Sequence, residues 1–208
     1  MEFYVAHTID DFISQAVSFI DSRYQGGAIG VSGGKTPTEI YQEIGRNVRL
    51  KGATYVAVDE RYVPPDHPNA NALLWREILP HVLNFDTSLP ITDSLDQFEV
   101  AVRPLLPLDI CTLGMGPDGH TASLFPHASA LDTDGLVAHT TTDHFAIHDR
   151  LTLTFPAIMQ SRTILLLLRG REKRPVLTEL LEGTLSPDEF PAKRLLEHPH
   201  LQILYLST

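Results

Sequence analysis

Short apolar runs alternate with amphipathic ones along almost the whole of this 208-residue chain. "GAIGVSGG", "TYVAVDE", "LDICTLG", "RTILLLL" and "LQILYL" are compact, apolar and mostly closed by glycine or charge, as buried strands are. "SLPITD", "LVAHT" and "RLTLT" add weaker strand signals. Between them lie helical patterns. "DDFISQAVSFIDSRY" puts Phe12, Ala16 and Phe19/Ile20 on one face. "TPTEIYQEIG" predicts a helix capped by Thr36, with Pro37 in the first turn and Glu39 completing a capping box. "NANALLWREIL", "DSLDQFEVAVRPL", "REKRPVLTELLEG" and "PAKRLLEH" are the other expected helices, with Pro175 delaying the start of the third of these. Strand alternating with helix predicts an α/β fold around a largely parallel sheet. Ligands of such sheets bind at the carboxyl ends of the strands, where the strand order reverses. The residues just after each strand therefore carry the functional information.

Composition narrows the ligand. The formal net charge of −10 argues against a general nucleic-acid or anionic-membrane binder. A small phosphorylated substrate stays open, because it feels its cleft more than the net charge. The apolar run "TILLLLRG" is far too short to span a bilayer. "MEFYVAHTIDDF" lacks the basic start of a signal peptide. The single cysteine, Cys111, forbids an internal disulfide and fits a reducing, cytoplasmic setting. No internal repeat is evident, and linker-like sequence is confined to "VPPDHPNAN" and "LSPDEFPAK". One domain over 1–208, as a monomer or small homo-oligomer, is the expectation.

Three strand exits are unusual. "SGGKTPTEI" presents Ser32, Gly33, Gly34, Lys35 and Thr36 at a helix start. Adjacent glycines let backbone N–H groups approach a ligand, and hydroxyls with a lysine add donors, which suits phosphate. Gly30-Val31-Ser32-Gly33-Gly34 also spells the G-x-S-x-G nucleophile elbow, so a serine hydrolase is a formal alternative. The expected helix starts too late after Ser32 for that turn. "VAVDERYVP" ends a strand with Asp59, Glu60 and Arg61, either an ion-pair cluster or groups that orient a sugar and an anion. "GMGPDGHTASLFP" places His120 beside Gly119 and two residues after Asp118. An imidazole there can take a proton from water, with Asp118 orienting it; the plainer reading is a histidine capping a helix from Thr121.

Together these segments resemble the signatures of the 6-phosphogluconolactonase family, in the family's order and at similar spacing. "RLTLTFPAI", from Arg150, and Gly170-Arg171-Glu172-Lys173 are similar to two further family segments. The resemblance implies a modified Rossmann-like layered fold, shared with glucosamine-6-phosphate deaminases. It implies hydrolysis of 6-phosphoglucono-δ-lactone in the oxidative pentose phosphate pathway, without metal or organic cofactor. It makes His120 the general base and Asp118 its support. Ser32 to Thr36, Arg150 and Lys173 would hold the phosphate, and Arg61, with Asp59, would face the lactone or its phosphate. The chain departs from the family pattern at Lys35, at His127 where a glycine is usual, and in "TTDHFAIHD", which lacks the usual proline-containing approach to Arg150.

The deaminase alternative is disfavoured by "GHTASLFP", since deaminases carry "GHIAFNEP" and a further catalytic acid. A sugar-phosphate-binding module without catalysis is the third alternative, and intact Asp118 and His120 oppose it. His144 and His148 stand at a metal-pair spacing with no third ligand in view, so they are expected in an exposed polar segment. Cys111 and Trp75 are expected in the core, and Asn69 and Asn71 in the loop after "DERYVPP", with Asn71 a secondary candidate for substrate contact.

Overall fold

The computed structural model describes residues 1–208. In chain order it contains β1 (Glu2–Ala6), α1 (Ile9–Arg23), β2 (Ala28–Val31), α2 (Thr38–Arg46), β3 (Thr54–Ala57), β4 (Asp59–Arg61), α3 (Asn71–Arg76) and β5 (Val82–Leu83). There follow α4 (Ile91–Val102), β6 (Ile110–Leu113), β7 (Val137–Thr141), β8 (Asp149–Leu153), α5 (Phe155–Ile158), β9 (Ile164–Arg169), α6 (Arg174–Glu182) and β10 (Leu201–Leu206). Seven strands form one parallel sheet in the order β1-β10-β9-β6-β2-β3-β5. Strands β4, β8 and β7 form a small antiparallel sheet. The expected α/β architecture with a largely parallel sheet is therefore present, and it carries an antiparallel annex.

The central parallel strands are buried on both faces, which is why β2, β6 and most of β9 read as unbroken apolar runs. Helix α1 forms as its pattern predicts. Thr8 accepts a hydrogen bond from the Asp11 amide, Asp10 and Asp11 lie in the first turn, and Phe12, Ala16 and Ile20 are buried. Cys111 and Trp75 lie in the core as expected.

Several local expectations fail for identifiable reasons. Thr36 does not cap α2. The helix starts at Thr38, with Pro37 at the cap position and no side-chain cap bond. The Thr38 hydroxyl donates instead to the Gly34 carbonyl, and Glu39 is drawn into an ion pair with Arg169 at 2.5 Å. "SLPITD" is not a strand, because Pro90 leads directly into α4. "TYVAVDE" splits at Val58, so Asp59–Arg61 belongs to the second sheet rather than to an exit loop. "PAKRLLEH" becomes a 3₁₀ segment, Pro191–Glu197. No helix starts at Thr121; a tight turn with a Thr121–Leu124 bridge stands there. Edge strand β1 has only Ala6 buried, and β5 has two residues, so neither showed a core pattern.

Strand order reverses between β2 and β6. Their ladder covers only Ile29–Ile110 and Gly30–Cys111 before the strands diverge. Beyond it a buried chain of hydrogen bonds takes over. The Ser32 amide donates to the Tyr41 hydroxyl (2.9 Å), which lies 2.7 Å from Thr112 Oγ1, which donates to the Gly30 carbonyl (2.8 Å). Burial pushes the Tyr41 phenol up to about 12, so it stays a donor. Tyr41→Phe should therefore lower unfolding free energy by about 1–3 kcal/mol through unpaired buried groups. Urea unfolding tests this, and wild-type stability in the variant would remove the chain's structural role.

Candidate active site

The divergence of β2 and β6 opens a crevice at their carboxyl ends. Ser32 and Gly33 follow β2, Gly114 to Gly116 follow β6, and Lys173 follows β9. The small sheet supplies Asp59, Arg61 and Arg150 from the side. His120 completes a cleft of about 270 Å³ that these residues share with Phe145, Ala122 and Pro117.

His120 sits in a turn that few sequences could make. The Gly116 amide donates to the His120 carbonyl at 2.8 Å, which folds the loop back on itself. A Cβ on Gly116 would lie 2.1 Å from the His120 ring, so only glycine admits the imidazole. His120 Nδ1 lies 2.5 Å from Asp118 Oδ1 and makes no other hydrogen bond. Nε2 has no protein partner. Burial pushes the Asp118 carboxyl up, but the hydrogen bond and charge of His120 outweigh it, leaving Asp118 below the ordinary aspartate range. Ser32 and His120 share the cleft without a hydrogen bond between them, so the nucleophile–base pair of a serine hydrolase is not assembled.

The cations are placed by β-sheet register. Arg61 and Arg150 are direct cross-strand partners, an arrangement that like charges disfavour. Arg61 Nη1 donates to the Asn69 carbonyl and Arg150 Nε to the Ile147 carbonyl; Arg61 Nε is buried without a partner. Burial first, and the charge of Arg61 second, lower the Arg150 pKa, while Asp59 and Glu60 oppose this. Asp59 is itself engaged: Ser123 Oγ donates to it at 2.6 Å. Burial raises the Glu60 carboxyl, although it accepts from the amides of Arg61, Asn71 and Ala72 and from Asn84.

Lys173 Nζ donates to the Met115 carbonyl at 2.7 Å. It also lines an adjoining hollow of about 80 Å³ with Ser32, Gly33, Gly34, Lys35 and Thr36. The structure thus gathers Ser32, Gly33, Asp59, Arg61, His120, Arg150 and Lys173 around one cleft, with Asp118 behind the histidine. Gly34, Lys35 and Thr36 border the hollow, and Lys35 is exposed. Asn71 is buried, donates to the Asp59 carbonyl and packs so closely on Gly33 that a Cβ there would lie 1.9 Å from Asn71 Oδ1. Asn71 shapes the glycine loop rather than lining the cleft. A hollow of about 540 Å³ at the opposite end of the sheet holds Arg23, Arg162 and His200 but no strand-exit loop.

Sequence reasoning missed Ser123, Tyr41, Phe145 and Phe125. The first two look like ordinary loop and helix residues, and the two phenylalanines like packing. His144 and His148 lie on an exposed loop, where His148 faces Asp143 and Asp149 at 3.4 Å. His139 also pairs with Asp149, at 2.7 Å, but no group of three His, Cys, Asp or Glu side chains, here or elsewhere, is arranged to hold a metal ion. Burial pushes the Cys111 thiol up to about 12, which suits packing rather than nucleophilic attack. His127, at the family's usual glycine position, adopts the left-handed φ of 59° and pairs with Asp188 at 2.6 Å.

The open parallel sheet, with a cationic crevice at its switch point, defines an α/β protein of the layered, Rossmann-like class. The chain belongs to the glucosamine-6-phosphate isomerase/6-phosphogluconolactonase family, whose model matches residues 2–204. A 6-phosphogluconolactonase of Thermotoga maritima is 36% identical over 170 residues, covering 77% of each chain. A probable 6-phosphogluconolactonase of Dictyostelium discoideum is 31% identical over 195 residues, 85% of this chain and 83% of that one. The crystal structure of a 6-phosphogluconolactonase from Shewanella baltica matches with a TM-score of 0.91 and 27% identity, over 100% of this chain and 98% of the other. No helix is long and apolar enough to cross a membrane.

The Asp118–His120 pair has a consequence for acid stability. A carboxyl that ionises more readily folded than unfolded stabilises the fold above its unfolded value of ~3.9. That contribution is lost as pH falls through the folded value. Urea unfolding between about pH 2 and 6 should therefore show a shallower acid loss for Asp118→Asn than for wild type. Equal slopes would mean that the pair does not stabilise the fold.

Proposed function

We propose that this protein hydrolyses 6-phosphoglucono-δ-lactone to 6-phosphogluconate, as a metal-independent step of the oxidative pentose phosphate pathway in a cytoplasmic setting. The observation that carries this is the His120–Asp118 pair, 2.5 Å apart, in the cleft where Arg61, Arg150 and Lys173 converge. His120 takes a proton from water as its oxygen attacks the lactone carbonyl carbon. Asp118, on Nδ1, holds the ring so that Nε2 faces the cleft, and stabilises the imidazolium. The developing oxyanion is stabilised by the cleft's cationic field. The imidazolium then returns its proton to the departing ring oxygen, the tetrahedral centre collapses and the ring opens to the acid.

Phosphate binding supplies orientation. We assign the phosphate to the Ser32–Thr36 loop, Lys173 and Arg150, with Arg61 and Asp59 toward the lactone. The hollow beside Lys173 is bounded by loop backbone and hydroxyls. The lactone is already electrophilic, so one base suffices. A deaminase must move protons between carbons; at its Phe-Asn positions this chain has buried Ser123 and Leu124, one bound to Asp59 and one in the core.

His120→Ala should lower kcat by two to four decades, on the order of a general-base contribution, while the fold survives. The assay follows freshly generated lactone above its spontaneous hydrolysis, with chelator present and product identified. Near-normal kcat in the folded variant would exclude His120 as the base. A wild-type protein that released ammonia from glucosamine 6-phosphate instead would favour the deaminase.

Arg150→Ala and Lys173→Ala should each raise KM for the phosphorylated lactone by about one to two decades, the worth of one charge-assisted contact. Each should barely change the weaker activity on unphosphorylated gluconolactone. Equal damage to both substrates would move that residue from the phosphate to the lactone or the fold.

A further inference from the structure

One hydrogen bond fixes a nitrogen of an imidazole but leaves the ring free to rock about that bond. At His120 two aromatic rings pack beside the imidazole. Phe125 lies 4.8 Å away, centroid to centroid, and Phe145 lies 5.2 Å away at 77°, edge to face. The two phenylalanines are 5.9 Å apart, so the three rings form one cluster. Phe125 comes from the histidine loop itself and is buried. Phe145 comes from elsewhere, the loop joining β7 to β8. The Arg150 guanidinium carbon also lies 6.0 Å from the Phe145 ring centre. Phe145 therefore touches both the residue read as the base and a cation of the anion-holding wall, and it lines the cleft between them.

The loop that carries Phe145 is tied down at its base. The Thr142 amide donates to the His148 carbonyl at 3.0 Å, and the His144 amide to Thr142 Oγ1 at 3.2 Å. The strands beneath are paired from Val137–Leu153 to Thr141–Asp149. This segment is also where the chain departs most from the family pattern before Arg150.

We propose that Phe145 is a positioning residue for His120: through the β7–β8 hairpin it fixes the plane of the imidazole, and so sets how well Nε2 meets the attacking water. This rests on the general-base role of His120 argued above. Misalignment of a base by a fraction of an ångström lowers the rate without weakening ground-state binding.

Two measurements test it. In kinetics, Phe145→Ala should lower kcat about tenfold with KM changed less than about twofold, and Phe145→Tyr, which keeps the ring, should restore the rate. In a His120→Ala background Phe145→Ala should cost no further activity, because a residue acting through the histidine has nothing left to position. An equal loss in both backgrounds, or a raised KM at unchanged kcat, would overturn the proposal in favour of a structural role or a direct substrate platform. In solution NMR, Phe145→Ala should shift the His120 ring protons as the ring current disappears, while Phe145→Tyr keeps them near their wild-type positions. Unmoved resonances in Phe145→Ala would overturn the contact itself. The NMR arm needs no turnover, so it separates failure of this inference from failure of the lactonase reading. Wild type without lactonase activity would sink the latter, and an unmoved His120 resonance the former.

Discussion

The site exists because two neighbouring parallel strands part company. Where β2 and β6 diverge, their backbone ladder ends after two residue pairs, and buried polar groups must find other partners. Tyr41 and Thr112 supply them, in a chain from the Ser32 amide to the Gly30 carbonyl. The chain holds the first residue of the glycine loop at a set distance from the end of β6. On one side of the crevice stand Ser32 and Gly33; on the other stand Gly114 to Gly116 and the turn that presents His120. Every contact proposed for a substrate depends on that spacing. A helix hydroxyl in the core thus connects the packing of α2 to the geometry of the cleft.

Electrostatics then shapes the cleft against the chain's own charge. With a formal net charge of −10, the molecule as a whole repels a sugar phosphate. Register places Arg61 opposite Arg150, and the turn after β9 brings in Lys173. Two arginines side by side cost the fold energy, which a bound anion would relieve under the function proposed above. Asp59 first and Glu60 second offset the repulsion. Glu60 lies buried and accepts four hydrogen bonds, from the Arg61 amide, from the first two amides of α3 and from Asn84 beyond β5, which tie the small sheet to those segments. Asp59, locked by Ser123, faces the same cleft. Cations are held close enough to act and are not neutralised by direct ion pairs, as anion capture requires.

Catalytic economy follows from the substrate proposed. A lactone carbonyl is reactive enough that a single imidazole, one orienting carboxylate and a cationic wall can account for turnover. The precision lies in holding that imidazole still. Gly116 leaves room for it, Asp118 lies on Nδ1, and aromatic rings from two separate loops pack beside it, one tilted and one edge to face. His127 shows the strain such loops carry. A non-glycine residue accepts a left-handed backbone there, beside an exposed contact to Asp188.

The amino-acid sequence by itself determined the fold class, the strand exits that matter and most of the cleft. Doubly buried strands must be unbroken apolar runs, and helices packed on one face must be amphipathic. Both patterns are local, as are the glycines around His120 and the hydroxyls of the Ser32–Thr36 loop. Tertiary structure alone decided what depends on distant partners. Thr36 has no capping role because α2 starts two residues later, at Thr38, and Glu39 pairs instead with Arg169, more than a hundred residues away. Asp59–Arg61 left the parallel sheet because β8 offered it an antiparallel partner, which sets the two arginines face to face. Lys35 and Thr36 stand beside the cleft rather than in it, since the turn before α2 carries them past its edge. Tyr41, Ser123 and Phe145 carry no local signature, because their roles are hydrogen bonds and ring contacts across segments that only folding brings together.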